Sequence, residues 1–155
     1  MDIRQAEAYD LELVKSIAYK TIQTVYPRYY PPGAVDFFLK HHSQSGIAAD
    51  IDLKTVYVLE DGKSMVGTVT VKACEICRLF VLPEHQGKGG GRKLLDFSER
   101  LIAKESDKCK LAASLASKHI YLKREYRTIA FHSILTDNGD YLCYDEMEKT
   151  LRKQK

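Results

Sequence analysis

The sequence packs four glycines into the six residues from Gln86 to Gly91, between an apolar run at Leu79 to Leu82 and an apolar stripe at Leu94, Leu95, Leu101 and Ile102. That order predicts a strand, a sharp turn and a helix in succession. Glycine lets the backbone turn without a Cβ clash and lets a ligand approach the main chain. The first amides of a helix have no intrahelical acceptor, and the helix dipole places partial positive charge at the same end. Lys88, Arg92 and Lys93 add mobile cations. The segment therefore reads as an anion cradle, and a pyrophosphate suits it.

A turn that merely caps a helix is the plainer alternative. Three consecutive glycines cost on the order of 0.5 to 1 kcal/mol each where helical, which argues against packing alone. Two common phosphate-binding spacings fail. Within this segment no glycine is followed by Lys and then Ser or Thr, as G-x-x-x-x-G-K-[ST] requires. A G-x-G-x-x-G fingerprint counted from Gly87 needs glycine where Arg92 stands, and it should close the first strand of a βαβ unit.

Elsewhere, Leu11, Val14, Ile17, Ala18, Thr21, Ile22 and Val25 recur at helical spacing, with Asp10 as the expected N-cap and Pro27 ending the helix near Tyr26. An aromatic loop follows through Tyr29 and Tyr30 to Gly33, then a shorter helix over 33–42 that buries Val35, Phe38 and Leu39. Strands are expected over 55–60 and 65–71 around the Asp61-Gly62 turn, and over 75–82 before Pro83. A strand over 109–115, a helix over 117–124 and strands over 128–135 and 140–148, joined by Asp137-Asn138-Gly139-Asp140, complete the order. This is an α/β pattern around one sheet, with no repeat or linker, so residues 1–155 read as a single domain.

Composition bounds the function. With 155 residues and 45% hydrophobic content, the chain can bury one sizeable core. A net charge of +3 is too mild for a duplex-binding surface, so no nucleic-acid partner is expected. No apolar run is long enough to cross a membrane and no cationic, then apolar, segment opens the chain, so a cytoplasmic protein with reduced thiols is expected. Cys74 and Cys77 form C-x-x-C, but residues three apart on a regular strand face opposite sides, so no metal is expected. Lys149, Arg152, Lys153 and Lys155 read as a solvated basic end.

Gln86, Gly89 and Gly91 satisfy Q-x-x-G-x-G, preceded by Leu79-Phe80-Val81-Leu82-Pro83-Glu84. In this motif, in the strand before it and in its element order, the chain resembles the Gcn5-related N-acetyltransferase (GNAT) superfamily along nearly its whole length. The resemblance implies a mixed central sheet splayed between the fourth and fifth strands, flanked by about four helices. It also implies acetyl-CoA as co-substrate, without metal, and an acetyl group passed directly to an amine in a ternary complex. The acceptor would be a small-molecule, peptide or protein amine; whether subunits pair as a homodimer stays open. On the same resemblance, the main chain of Leu79, Phe80 and Val81 pairs with the pantetheine arm. Gln86, Gly87, Lys88, Gly89, Gly90, Gly91 and Arg92 hold the pyrophosphate.

The family's N-x-x-A-x-x-F-Y-x-K-x-G-F pattern falls on Ser114 to Tyr126. Tyr121 takes the position of the tyrosine that protonates the leaving thiolate, and Ser114 stands where asparagine is usual at the cofactor. Ile120 replaces an aromatic, and Glu125 replaces the glycine that ends the helix, so that end should be reshaped or strained. A tyrosine that only packs is the plainer reading of Tyr121. Glu75 is the candidate base, because on a regular strand it shares a face with Cys77, Leu79 and Val81; a water chain is the alternative. His85, His119 and His132 have suitable intrinsic pKa values but read as surface or satisfied histidines. Tyr26, Tyr29 and Tyr30, with Arg28, lie in the connection that often covers the acceptor in this family, and either close over the amine or pack as a rigid loop. A non-catalytic acyl-CoA-binding or interaction module is the second reading of the whole.

Overall fold

The computed structural model describes residues 1–152. The elements run β1 (Asp2–Gln5), α1 (Leu11–Val25), α2 (Pro32–His41), α3 (Gln44–Asp52), β2 (Val56–Asp61), β3 (Ser64–Lys72), β4 (Glu75–Val81), α4 (Gly90–Ile102), β5 (Lys108–Ser114), α5 (Lys118–Lys123), β6 (Arg127–Leu135) and β7 (Tyr141–Thr150). All seven strands join one sheet in the order β1-β2-β3-β4-β5-β7-β6. Every neighbouring pair is antiparallel except β4 and β5, which are parallel.

Two helical layers cover this sheet. On one side Leu94, Leu95 and Ile102 of α4, with Tyr121 of α5, pack on Leu59, Val69, Val71, Ile76 and Val81. On the other side α1, α2 and the connection between them bring Ile17, Ile22, Tyr26, Tyr30 and Val35 against Phe80 and Leu142, while Ile47 and Ile51 of α3 pack with Val14, Val56 and Val58. Each fully buried Leu or Ile of this kind contributes about 1.5–3 kcal/mol. Among the described residues no helix is long and apolar enough to cross a membrane.

The described residues hold one α-helix more than the sequence suggests. In α3 only Ile47 and Ile51 mark the buried face, and Gly46 sits inside the pattern; the helix is started by Ser43, whose Oγ accepts the Gly46 N–H at 3.2 Å. Asp10 precedes α1 as expected but does not cap it. Its carboxylate turns back to the Glu7 N–H at 2.8 Å and to Arg4 at 2.7 Å. Lys149 is not solvated either, since its Nζ lies 3.2 Å from Glu99. Arg152 is exposed, and the expectation for Lys153 and Lys155 falls outside the described residues. All four cysteines are free.

The expected splay is present. β4 and β5 pair only at Glu75 with Lys110 and at Ile76 with Leu111. Beyond those rungs the two strands run on to Val81 and Ser114 unpaired with each other.

Candidate active site

The glycine-rich turn lies at the mouth of this splay and leads into α4. Gly87 and Gly89 hold φ of +76° and +88°, a left-handed backbone that side chains disfavour, and Gly89 is the N-cap residue of α4. A Cβ at Gly87, Gly89 or Gly91 would meet nothing within 4 Å, so the surface around the turn is open. Gly90 serves packing instead: its Cβ would lie 3.0 Å from Leu59 Cδ2, where the helix seats on the sheet. The Lys93 N–H donates to the Gly89 carbonyl at 3.0 Å, leaving the amides before it without intrahelical acceptors. Arg92 is 83% exposed and Lys88 is exposed, whereas the Lys93 ammonium is taken by the Met1 carbonyl. Gln86 folds inward, its Nε2 donating to the Val81 carbonyl at 3.0 Å. It shapes the turn.

The open edge of β4 supplies the second part. The Leu82 N–H donates to the Val66 carbonyl at 2.9 Å, so by strand alternation the main-chain groups of Leu79 and Val81 face the splay. The Val81 carbonyl is already engaged by Gln86 and by Thr21 Oγ1 at 3.3 Å. Phe80 turns its side chain to the α1–α2 layer, 6.4 Å from the Tyr26 ring and 5.4 Å from His42.

This strand is not regular. Cys77 pairs with Thr70 and Phe80 with Thr68, so Val69 faces both Arg78 and Leu79, and Arg78 holds φ of +46°. The bulge turns Leu79 and Val81 to the face of Ile76 and the α4 layer. The shared face expected for Glu75, Leu79 and Val81 is thereby corrected. Glu75 is exposed, on a rung where β4 and β5 still pair, at the closed end of the splay.

The far wall carries three hydroxyls, and a fourth comes from the α1 side. Ser114 Oγ at the end of β5 lies 3.0 Å from Ser117 Oγ, just before α5. Tyr121 is 7% exposed, with its ring edge-on to Tyr126 at 5.7 Å. Burial raises the Tyr121 pKa, against a smaller opposing effect of Ser117, so the phenol keeps its proton. Tyr26 is raised for the same reason, with Ser114 working against the rise. Tyr26 from the α1 side and Tyr121 from α5 thus flank one serine pair. Sequence reasoning found Tyr121 and Ser114, placed Tyr26 only in the aromatic loop, and missed Ser117. The available signals were the Ser-x-x-Ser spacing at a strand end and the position of Tyr26 four residues after Ile22 on the buried stripe.

The aromatic loop divides. Tyr30 is 6% exposed; its hydroxyl accepts the Leu115 N–H and donates to the Cys143 carbonyl, each at 2.8 Å. Both of its bonds are spent on main chain, so Tyr30 is a brace and not an acceptor contact. Burial pushes it up to about 12. Tyr29 is 46% exposed and keeps a free face. His119 is exposed, and His132 stacks on Tyr144 at 4.9 Å with its Nε2 3.2 Å from Glu146. His85 Nδ1 is buried without a partner. Cys77 is pushed up to about 11, first by burial and then by Glu75. Among the described residues no three His, Cys, Asp or Glu side chains cluster to hold a metal ion.

Glu125 takes the glycine's conformation at φ +70°. The Tyr126 N–H donates to the Tyr121 carbonyl at 3.0 Å and the Glu125 N–H to that of Leu122 at 3.1 Å, so α5 closes as glycine-ended helices do. A left-handed non-glycine residue costs about 1–2 kcal/mol.

The acetyltransferase (GNAT) domain family matches residues 25–151 of the chain. The chain belongs to this family. No curated protein matches its sequence. Among solved structures, this GNAT domain is similar to a GCN5-related N-acetyltransferase from Rhodopseudomonas palustris, at 20% identity and a TM-score of 0.88 over 97% of this chain and 95% of that one. It is also similar to the PaiA N-acetyltransferase of Thermoplasma acidophilum, solved with coenzyme A, at 20% identity and a TM-score of 0.72 over 96% and 98%. YncA of Salmonella typhimurium, solved with acetyl-CoA, matches at 18% identity and a TM-score of 0.75 over 100% and 96%. At these identities the likeness is one of fold.

Proposed function

We propose that this GNAT domain transfers the acetyl group of acetyl-CoA to a primary amine. The observation that carries the reading is the open edge of β4 at Leu79 and Val81 leading into the left-handed turn at Gly87 and Gly89. An extended amide-bearing arm can add to that edge as a strand does, and a pyrophosphate can sit on the free amides from Gly87 to Arg92, with Lys88 and Arg92 beside it. The two similar proteins solved with coenzyme A and acetyl-CoA support this choice of ligand.

Acetyl-CoA supplies an activated thioester. The Leu79 N–H on the open edge is the donor for the carbonyl oxygen as negative charge develops there. Tyr121, held protonated by burial, gives its proton to the departing sulfur and is restored by the proton that the acetylated nitrogen sheds as the amide forms. The incoming alkylammonium, of pKa ~10, sheds its proton to water before attack, because Glu75 stands at the closed end of the splay. Ser114 and Ser117 orient the hydroxyls on the far wall. Tyr29 is the aromatic left free to meet the acceptor, a small-molecule or peptide amine.

Incubation with acetyl-CoA and a panel of amines, read as free thiol, tests the reading. Acceptor-dependent thiol release is expected. Coenzyme A binding by calorimetry with no release for any amine supports a non-catalytic binding module instead, and no binding overturns both.

A further inference from the structure

We propose that Arg78 is a positioning residue for the transfer: its guanidinium, clamped between α3 and β3, fixes the β4 bulge and so keeps the Leu79 main chain on the open edge. This rests on the acetyltransferase reading above. The bulge inserts one residue that no backbone partner claims, since Val69 faces both Arg78 and Leu79. An arginine in the left-handed region at φ +46° needs something outside its own backbone to hold it there.

The side chain supplies that hold. Arg78 Nη1 donates to Asp50 Oδ2 at 2.8 Å and to Thr70 Oγ1 at 3.1 Å, while Nε donates to His42 Nδ1 at 3.3 Å. The guanidinium is 9% exposed, and Asp50 is held from its other oxygen by Lys72 at 2.7 Å. Burial, then Arg78 and His41, bring His42 down to about 3, so its ring is neutral and offers a lone pair. α3, β3 and the residue after α2 therefore converge on one side chain. A planar fork that directs several N–H groups to separate acceptors is an arginine property that lysine lacks.

The consequence for the site follows from period-two alternation. Without the inserted residue, every group from Leu79 onward would reverse: side chains would change faces, and the Leu79 N–H would point to β3 instead of the splay. The clamp lies on the side of the sheet opposite α4 and touches no part of the glycine turn. It should therefore govern the reacting end of the cofactor channel and leave the phosphate end alone.

Arg78→Gly tests this. Glycine accepts the left-handed backbone, and Asp50 keeps Lys72, so the variant is expected to fold. The expected result is a kcat at least ~10-fold lower with the coenzyme A Kd within ~3-fold of wild type, partly restored by added guanidinium ion. The Leu79 amide resonance should broaden in the variant and sharpen with the added ion. Wild-type kcat in folded Arg78→Gly overturns the proposal. If that variant does not fold, Arg78→Lys and Asp50→Asn replace it, and wild-type kcat in both overturns it equally. If the wild-type protein releases no thiol at all, the acetyltransferase reading fails alone. Leu79 hydrogen exchange then decides the clamp: faster exchange in Arg78→Gly supports it, and equal exchange overturns it.

Discussion

The Tyr30 hydroxyl receives the Leu115 amide at 2.8 Å, tying the connection before α2 to the chain leaving β5. With its second bond to the Cys143 carbonyl, this single oxygen joins three segments around the open end of the splay. Tyr30→Phe keeps the ring among Tyr26 and Phe38 but leaves two main-chain groups unpaired. A loss of about 1–3 kcal/mol is expected in denaturant unfolding. An unchanged midpoint would remove the brace.

Gly89→Asp forces a side chain onto φ +88° and sets a carboxylate against the helix amides. Coenzyme A binding should vanish in calorimetry while circular dichroism still reports the folded domain. Tight binding by the folded variant would refute the cradle.

Gly91 lies in the first turn of α4 with open space at its Cβ. Gly91→Ala should gain up to ~1 kcal/mol of stability from helix propensity. It should also weaken coenzyme A, because the added methyl occupies the approach to the amides. Paired melting and binding curves check both signs; unweakened binding would place the pyrophosphate elsewhere.

Tyr121→Phe removes the proton and keeps the packing against Tyr126. Turnover should drop at least ~10-fold with coenzyme A affinity unchanged. Equal turnover would return Tyr121 to a packing role.

Acid should unfold the protein by a route that specific carboxylates set. Lys118, then Thr128, hold the Asp145 carboxyl below its ordinary range, and Arg4 does the same for Asp10. A folded pKa below the unfolded one adds stability that is complete above the usual carboxylate value, ~4, and is lost as pH falls through the folded value. Stability should therefore decline on acidification below about pH 5. Asp145→Asn should make that decline shallower; an unaltered slope would show that Asp145 contributes nothing to it.

How far the sequence carried these conclusions depended on what kind of signal each feature leaves. The glycine turn, the helix after it and the hairpins were legible because glycine spacing and apolar periodicity mark them directly. α3 was not, because two isoleucines four apart are too few to separate a helical stripe from a loop. The Arg78 bulge left no local mark: the side chain that stabilises it draws on Thr70 of the neighbouring strand and on Asp50 and His42, which are distant in sequence. That hidden residue is why Glu75 was expected on the wrong face. Tyr26 and Tyr30 looked alike within one aromatic loop, and only tertiary contact sends one toward Ser114 and the other to the Leu115 amide.

Two rungs, at Glu75 and Ile76, are all that joins the sheet directly across its parallel seam. Below that seam's mouth the two halves of the sheet share no hydrogen bonds between β4 and β5 and are held by side-chain packing. Any elongated guest that bonds to both lips would complete the missing ladder and stiffen the pair into one body. Slowed deuterium uptake at Val81 would then report occupancy without any chemistry taking place.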